Sequence, residues 1–278
     1  MARSRYGFTE NKIARFYKEG RGSGRGAAYK PWFTVRDVPS GGRSHRPRGL
    51  KTGRVHHLLS DIERDLFLLL DWSDAVCDIR EQFPLDRSTT MRIAEEIGVP
   101  HPVDRQSKAP LVMTTDFVVD LIREGRLLQV ARAVKPAEKL DEPRTVAKLE
   151  IERRYWTDQG VEWGIVTERD IPEPLARNIE NIHAWAVIND LTQPYPGFYA
   201  EKAALIAREV PARAHVTMQR FCEEMDLRLS LDRGACLMLL RHLLVTKVLA
   251  CDLSDPIDDQ VLMGRFRLAA PRTGRASA

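Results

Sequence analysis

Cysteine is scarce in this chain: there are four in 278 residues, at Cys77, Cys222, Cys236 and Cys251. They are scattered, with no CxxC pair. That spacing argues against a structural zinc site and a disulfide framework, and it predicts four small buried apolar side chains. Long hydrophobic runs are also missing. The longest, "ACLMLLRHLLVTKVLA", is broken by Arg241 and Lys247, so no membrane span is expected. The opening "MARSRYGFTENK" lacks the apolar core of a secretory leader. A cytoplasmic protein is the resulting expectation. No internal repeat is visible. The stretch "GRGSGRG" has neither a preceding strand nor the GK[ST] of a nucleotide-phosphate loop.

Enough apolar sequence is present to fold: 43% of residues are hydrophobic and 29% charged, which excludes global disorder. The net charge of +4 is unevenly spread, with twelve Lys/Arg against two acids between Asn11 and Arg54. Gly, Ser and Pro are interleaved there. A flexible, one-signed basic segment suits a polyphosphate partner. Arg43, Arg46, Arg48, Lys51 and Arg54 are its candidate DNA contacts. The bland alternative is a solvated loop.

Along the chain, Thr9 caps a short helix that ends at Gly20. "GRVHHLL" predicts a strand. Ser60 starts a helix whose Ile62, Leu66, Leu69 and Leu70 fall on one face. "AVCDIREQFPL" predicts a strand ending at Pro84, and a short helix lies near "TMRIAEEIG". Two strand-like runs follow within Met113–Leu140. "EPRTVAKLEIERRYWTDQG" is a helix with Pro143 in its first turn and Gly160 as its stop, and "VEWGIVTERDIP" adds a strand. This succession predicts an α/β domain over residues 1–170. Residues 171–270 change character. "EPLARNIENIHAWAVI" is helical and "TQPYPG" is a break. Two helices, "HVTMQRFCEEM" and "LDRGACLMLLRHLLVT", then precede a hairpin made of "KVLACDL" and "QVLMGRFRLA". That order predicts a winged-helix-like module. The tail, residues 271–278, is expected to be disordered.

The run from Met113 to Leu140 carries the chemistry. A turn at Glu124 and Gly125 sets Asp116 opposite Ala133, and a shift of one residue sets it opposite Lys135. Ala133 and Lys135 share a face in either case. Burying either charge alone is costly, so Asp116 and Lys135 form either a plain cross-strand ion pair or part of a D…(E/Q)xK nuclease constellation. In the second reading Asp116 binds Mg2+ through hard oxygen ligands. Lys135 then orients or deprotonates the attacking water, or stabilises charge on the phosphate. Ala133 offers only its backbone carbonyl, so another acid is needed. Glu63 is the leading candidate, although Ser60-Asp-Ile-Glu63 fits a capping box, the reading its own surroundings favour. Glu152 is a weaker source, and it reads sooner as a solvated glutamate between Lys148 and Arg153/Arg154.

"TGRVHHLLSDIERDLFLLLDW", "DIREQFPL", "TTDFVVD", "VKPAEKL" and "KLEIERRYW", in that order, resemble the TnsA family, the endonuclease subunits of heteromeric, TnsABC-type transposases. The likeness is continuous over about the first 170 residues and weaker beyond. It implies a restriction-endonuclease-like, mixed-sheet N-terminal domain and a winged-helix-like C-terminal domain. It implies Glu63, Asp116 and Lys135 as catalytic residues, and a Mg2+ site (Mn2+ substituting) formed by Glu63, Asp116 and the Ala133 carbonyl. The family often has Gln where this chain has Ala133. The resemblance further implies cleavage of the 5′ strands at transposon ends. The partners it implies are double-stranded DNA, a TnsB-like DDE transposase and a TnsC-like AAA+ ATPase. The alternative is a catalytically degenerate DNA-binding or scaffold subunit.

Overall fold

The computed structural model describes residues 7–37 and 43–270; the expected disordered tail lies outside them. The chain divides into two compact units, with the division between Ile171 and Pro172.

The first unit is built on a four-stranded mixed sheet in the order β1-β2-β3-β4. β1 (Val76–Pro84), β2 (Thr114–Arg123) and β3 (Arg126–Val134) run antiparallel, and β4 (Glu162–Val166) pairs parallel to β3. A mixed sheet with helices against it fits a restriction-endonuclease-like domain. The β2–β3 turn is centred on Glu124 and Gly125, as expected. Phe117 pairs with Arg132, so Asp116 comes next, level with Ala133. Glu124 and Gly125 both adopt positive φ, 54° and 73°, the pattern of a two-residue turn that matches strand twist. An antiparallel strand often has one apolar and one polar face, but β2 does not. Phe117, Val118 and Val119 are all fully buried, so both faces are covered. Val118 and Ala131 pack against Ile151, Tyr155 and Trp156 of α4 (Pro143–Asp158), and against Ile93 and Ala94 of α3 (Arg87–Glu96).

α1 (Glu10–Lys18) is capped by Thr9 and buries Phe16 against Trp32. α2 (Asp61–Trp72) is capped by Ser60. Its buried stripe is Glu63, Leu66, Phe67, Leu68 and Asp71, not the expected Ile62, Leu66, Leu69 and Leu70. The helix is therefore rotated so that Glu63 faces inward.

"GRVHHLL" is no regular strand. It is the return arm of a loop bridged at His45–Leu58 and Arg48–Val55. The glycine-rich stretch is a seated loop too, not a flexible one. Arg21 donates to Asp37, Gly26 N–H to Asp78 and Arg25 to Asp120. At Gly22, φ is +80° and an added Cβ would lie 2.1 Å from Pro84 Cγ. Only glycine fits there.

The second unit contains α5 (Glu173–His183), α6 (Phe198–Glu209), α7 (Met218–Arg228) and α8 (Ala235–Val245). The sequence reading missed α6. Its Ala203, Ile206 and Ala207 are buried at helical spacing, but the preceding "TQPYPG" hid the start. The expected hairpin shrinks to two short antiparallel strands, β5 (Leu249–Ala250) and β6 (Arg267–Leu268). Asp226 on α7 accepts from the N–H groups of Gly234 and Cys236, at 2.7 Å each, which fixes the start of α8. Cys222 and Cys236 are buried, whereas Cys77 is exposed and Cys251 is half-buried, so the expectation of four buried thiols holds for two.

Candidate active site

Three elements bring acids to the same end of the sheet. Asp116 sits near the start of β2. Its Oδ2 accepts from Val134 N–H at 2.6 Å and from Lys135 Nζ at 2.8 Å. Lys135 lies just past β3 and is anchored by its own N–H to Val166 of β4 at 3.1 Å. Its side chain keeps a third of its surface exposed. Among the described residues both hydrogen bonds of Asp116 fall on Oδ2, which leaves Oδ1 for a further ligand.

Glu63 lies in the first turn of α2, which Ser60 caps through its Oγ. Glu63 Oε1 accepts from Ser60 Oγ at 3.1 Å and its Oε2 from Leu59 N–H at 3.0 Å, so its carboxylate serves the helix start without the Ser60 N–H bond of a full capping box. It also lies beside the Asp116 site. Burial first, and then the charge of Asp116, push its carboxyl up to about 7; two carboxylates sharing a poorly solvated site disfavour each other's ionisation.

Glu152 is not the solvated residue its charged neighbours suggested. It is buried on α4, and its Oε1 accepts from Thr115 Oγ1 at 2.8 Å and Trp163 Nε1 at 3.1 Å. Burial and then Asp116 raise it to about 7 as well. Burial opposes the Lys135 charge, but Asp116, Glu152 and Glu63 outweigh it and raise the ammonium above its ordinary value. Lys135 is thus held as a cation. Ala133 is fully buried and pairs with Ile165 of β4.

The donor chemistry fits a hard divalent cation. Crowded carboxylate oxygens, one without a partner, are what Mg2+ prefers, and a cation would relieve the repulsion that raises Glu63. Among the described residues no three His, Cys, Asp or Glu side chains form a ready cluster. Glu63 and Asp116 could therefore hold such an ion only with help from backbone oxygen, the contribution expected of Ala133.

The basic segment sorts into two groups. Arg43, Arg46 and Arg48 are exposed and Lys51 is half-buried. Arg54 is not a free phosphate contact. Its guanidinium grips the fully buried Glu81 at 2.8 and 2.5 Å and donates to Ile79 O at 2.9 Å. His56 Nδ1 lies 2.8 Å from the same carboxylate, and His57 N–H donates to it at 3.0 Å. Sequence reasoning missed this node. Its signal was Glu81 and Gln82 standing as consecutive polar residues inside a strand.

Comparison with known proteins closes the identification. Residues 73–168 match the TnsA-like endonuclease N-terminal family and residues 170–253 the TnsA endonuclease C-terminal family. These matches, on a fold that fits them, define a DNA endonuclease. The chain is also 42% identical over 250 residues to the Transposon Tn7 transposition protein TnsA of Escherichia coli, covering 87% of this chain and 86% of that one. The protein belongs to the TnsA family of transposase endonuclease subunits. Among the described residues no helix is long and apolar enough to cross a membrane.

Proposed function

We propose that this endonuclease cuts the 5′ strands at the ends of a transposon by Mg2+-assisted phosphodiester hydrolysis, with Glu63, Asp116 and Lys135 as its catalytic residues. The observation that carries the reading is the convergence of Asp116, Lys135 and Glu63: an ion pair at 2.8 Å beside a carboxyl whose ionisation Asp116 opposes. Glu63, Asp116 and the Ala133 carbonyl would hold the cation. When bound, it supplies Lewis-acid polarisation of the scissile phosphate and of a water. Lys135, kept protonated, stabilises the charge that grows on the phosphate. It is a poor general base in this state, so electrostatic stabilisation is favoured over water deprotonation. Mn2+ substitutes for Mg2+.

The name of the Escherichia coli relative supports a place in a transposition assembly. There the chain acts on double-stranded DNA beside a TnsB-like DDE transposase and a TnsC-like AAA+ ATPase. The order α7, short link, α8 and a two-stranded antiparallel pair supports a winged-helix-like second unit. Its arginines are mixed with acids, as in the Arg213–Glu224 and Arg228–Glu209 pairs, which favours protein contact with the ATPase over DNA.

The test is cleavage by Asp116→Ala and Lys135→Ala in a reconstituted transposition mixture. Both should lose 5′-strand cutting while remaining folded, and unchanged cutting by both would overturn this site. Ala133 and the lack of a ready three-ligand cluster among the described residues motivate a second reading, a degenerate scaffold subunit. That reading requires normal assembly without cutting in any divalent ion.

A further inference from the structure

Gln82 is the least expected residue near the site. It stands in β1 between the pairs Glu81–Phe117 and Phe83–Thr115, which brings it level with Asp116. It is buried, yet its φ is +48°. A non-glycine residue in the left-handed region inside a strand is strained, and such strain persists only where the surroundings impose it. Three hydrogen bonds do so here. The Gln82 carbonyl accepts from Trp32 N–H at 3.1 Å. Its side chain spans two elements, with Nε2 donating to Glu63 Oε2 at 3.3 Å and Oε1 accepting from Thr114 Oγ1 at 3.4 Å. The amide therefore links the first turn of α2 to the strand that carries Asp116.

From this geometry we infer that Gln82 is a positioning residue for Glu63, with its left-handed backbone turning the amide inward to aim the carboxylate at the cation. The inference rests on the metal site proposed above. Three donors determine the orientation of the Glu63 carboxylate: Leu59 N–H, Ser60 Oγ and Gln82 Nε2. Leu59 and Ser60 come from the chain immediately before α2. Of these donors among the described residues, Gln82 alone comes from the sheet, and it ties the carboxylate to the frame that holds Asp116. Groups that orient a metal ligand affect metal affinity strongly when removed. Thr114 fixes the other end of the amide and so selects which end faces Glu63.

The test uses the full chain and Mn2+ alone, titrated by calorimetry or by the loss of free-Mn2+ resonance. Gln82→Asn tolerates the left-handed backbone but is one methylene too short. Gln82→Leu keeps the bulk and removes the amide. Gln82→Gly removes both strain and amide. Folding is checked by thermal melting. The expected result is Mn2+ binding weakened roughly tenfold or more in all three variants, including Asn and Gly where the melting temperature stays near wild type. The Mg2+ midpoint for cutting should rise in step, with most of the rate recovered at saturating metal. Wild-type Mn2+ affinity in Gln82→Asn and Gln82→Leu would overturn the inference and leave Gln82 as packing alone. Asp116→Asn is the separate control: if it binds Mn2+ as well as wild type does, the metal site itself is misplaced, whatever Gln82 does.

Discussion

Lys135 and Asp116 meet through a single carboxylate oxygen, at 2.8 Å, and that same oxygen also takes the Val134 N–H. The lysine is therefore the local counter-charge for a site that otherwise gathers Asp116, Glu63 and Glu152. A divalent cation would strengthen that neutralisation. Adding Mn2+ should raise the melting temperature of the wild-type chain, and Lys135→Ala should melt lower without metal and gain more from it, because its acids are left uncompensated. Asp116→Asn should gain little. Differential scanning calorimetry with and without Mn2+ checks the three together.

Glu152 makes the metal-free protein sensitive to alkali. Its folded carboxyl is raised to about 7, by burial and then by Asp116, above the ordinary value near 4.3 that holds when unfolded. The native state therefore keeps its proton more tightly, and stability present at acid pH is lost as pH rises through about 7. Glu63 acts in the same direction. Glu152→Gln keeps the acceptor for Thr115 and Trp163 and removes the ionisation. It should flatten the decline between pH 5 and pH 8 and stabilise the protein at pH 8 by on the order of 1–3 kcal/mol, measured by urea unfolding without divalent ions.

Glu81 has the opposite sign. Burial opposes its charge, but the Arg54 and His56 contacts overcome this and hold the carboxyl down at about 2. Its contribution is present above the ordinary carboxylate range and is lost as pH falls through about 2. Acid unfolding should show this loss. Glu81→Gln should destabilise the protein by about 3–5 kcal/mol at neutral pH, because the Arg54 guanidinium is left buried and uncompensated.

Arg46 and Arg48 should behave differently from Arg54. The first two are exposed. Reversing both to Glu should weaken duplex DNA binding across sequences and reduce the salt slope of log K by roughly one for each phosphate no longer neutralised. Arg54→Ala should instead lower thermal stability. Equilibrium binding at several salt concentrations, paired with melting curves, separates the two outcomes.

The sequence-level reading of the hairpin held because its turn is local. Glu124-Gly125 admits positive φ at both positions, and of the two registers that counting left open the strands take the one that sets Asp116 against Ala133. Pairing β3 with β4 and rotating α2 inward are long-range effects, so the buried stripe on α2 was misplaced by about one position. Glu152 was misread because Lys148, Arg153 and Arg154 surround it in sequence. Its helical neighbours Leu149 and Trp156, both buried, would have placed it on the inner face. Gln82 could not be found by pattern, since neither its backbone conformation nor its reach to Glu63 leaves a periodic trace. Arg54 looked like its exposed basic neighbours, and only the fold supplies its buried partner.

The seating of residues 43–58 on Glu81 bears on how fast and how firmly phosphates are gripped. A segment that becomes ordered only on contact forfeits roughly 1–2 kcal/mol of backbone freedom per residue. Here Arg54 and His56 have already fixed the course of the chain. Phosphate contacts made by Arg46 and Arg48 would then register almost fully as affinity, and an encounter with DNA would not have to wait for the loop to find its shape.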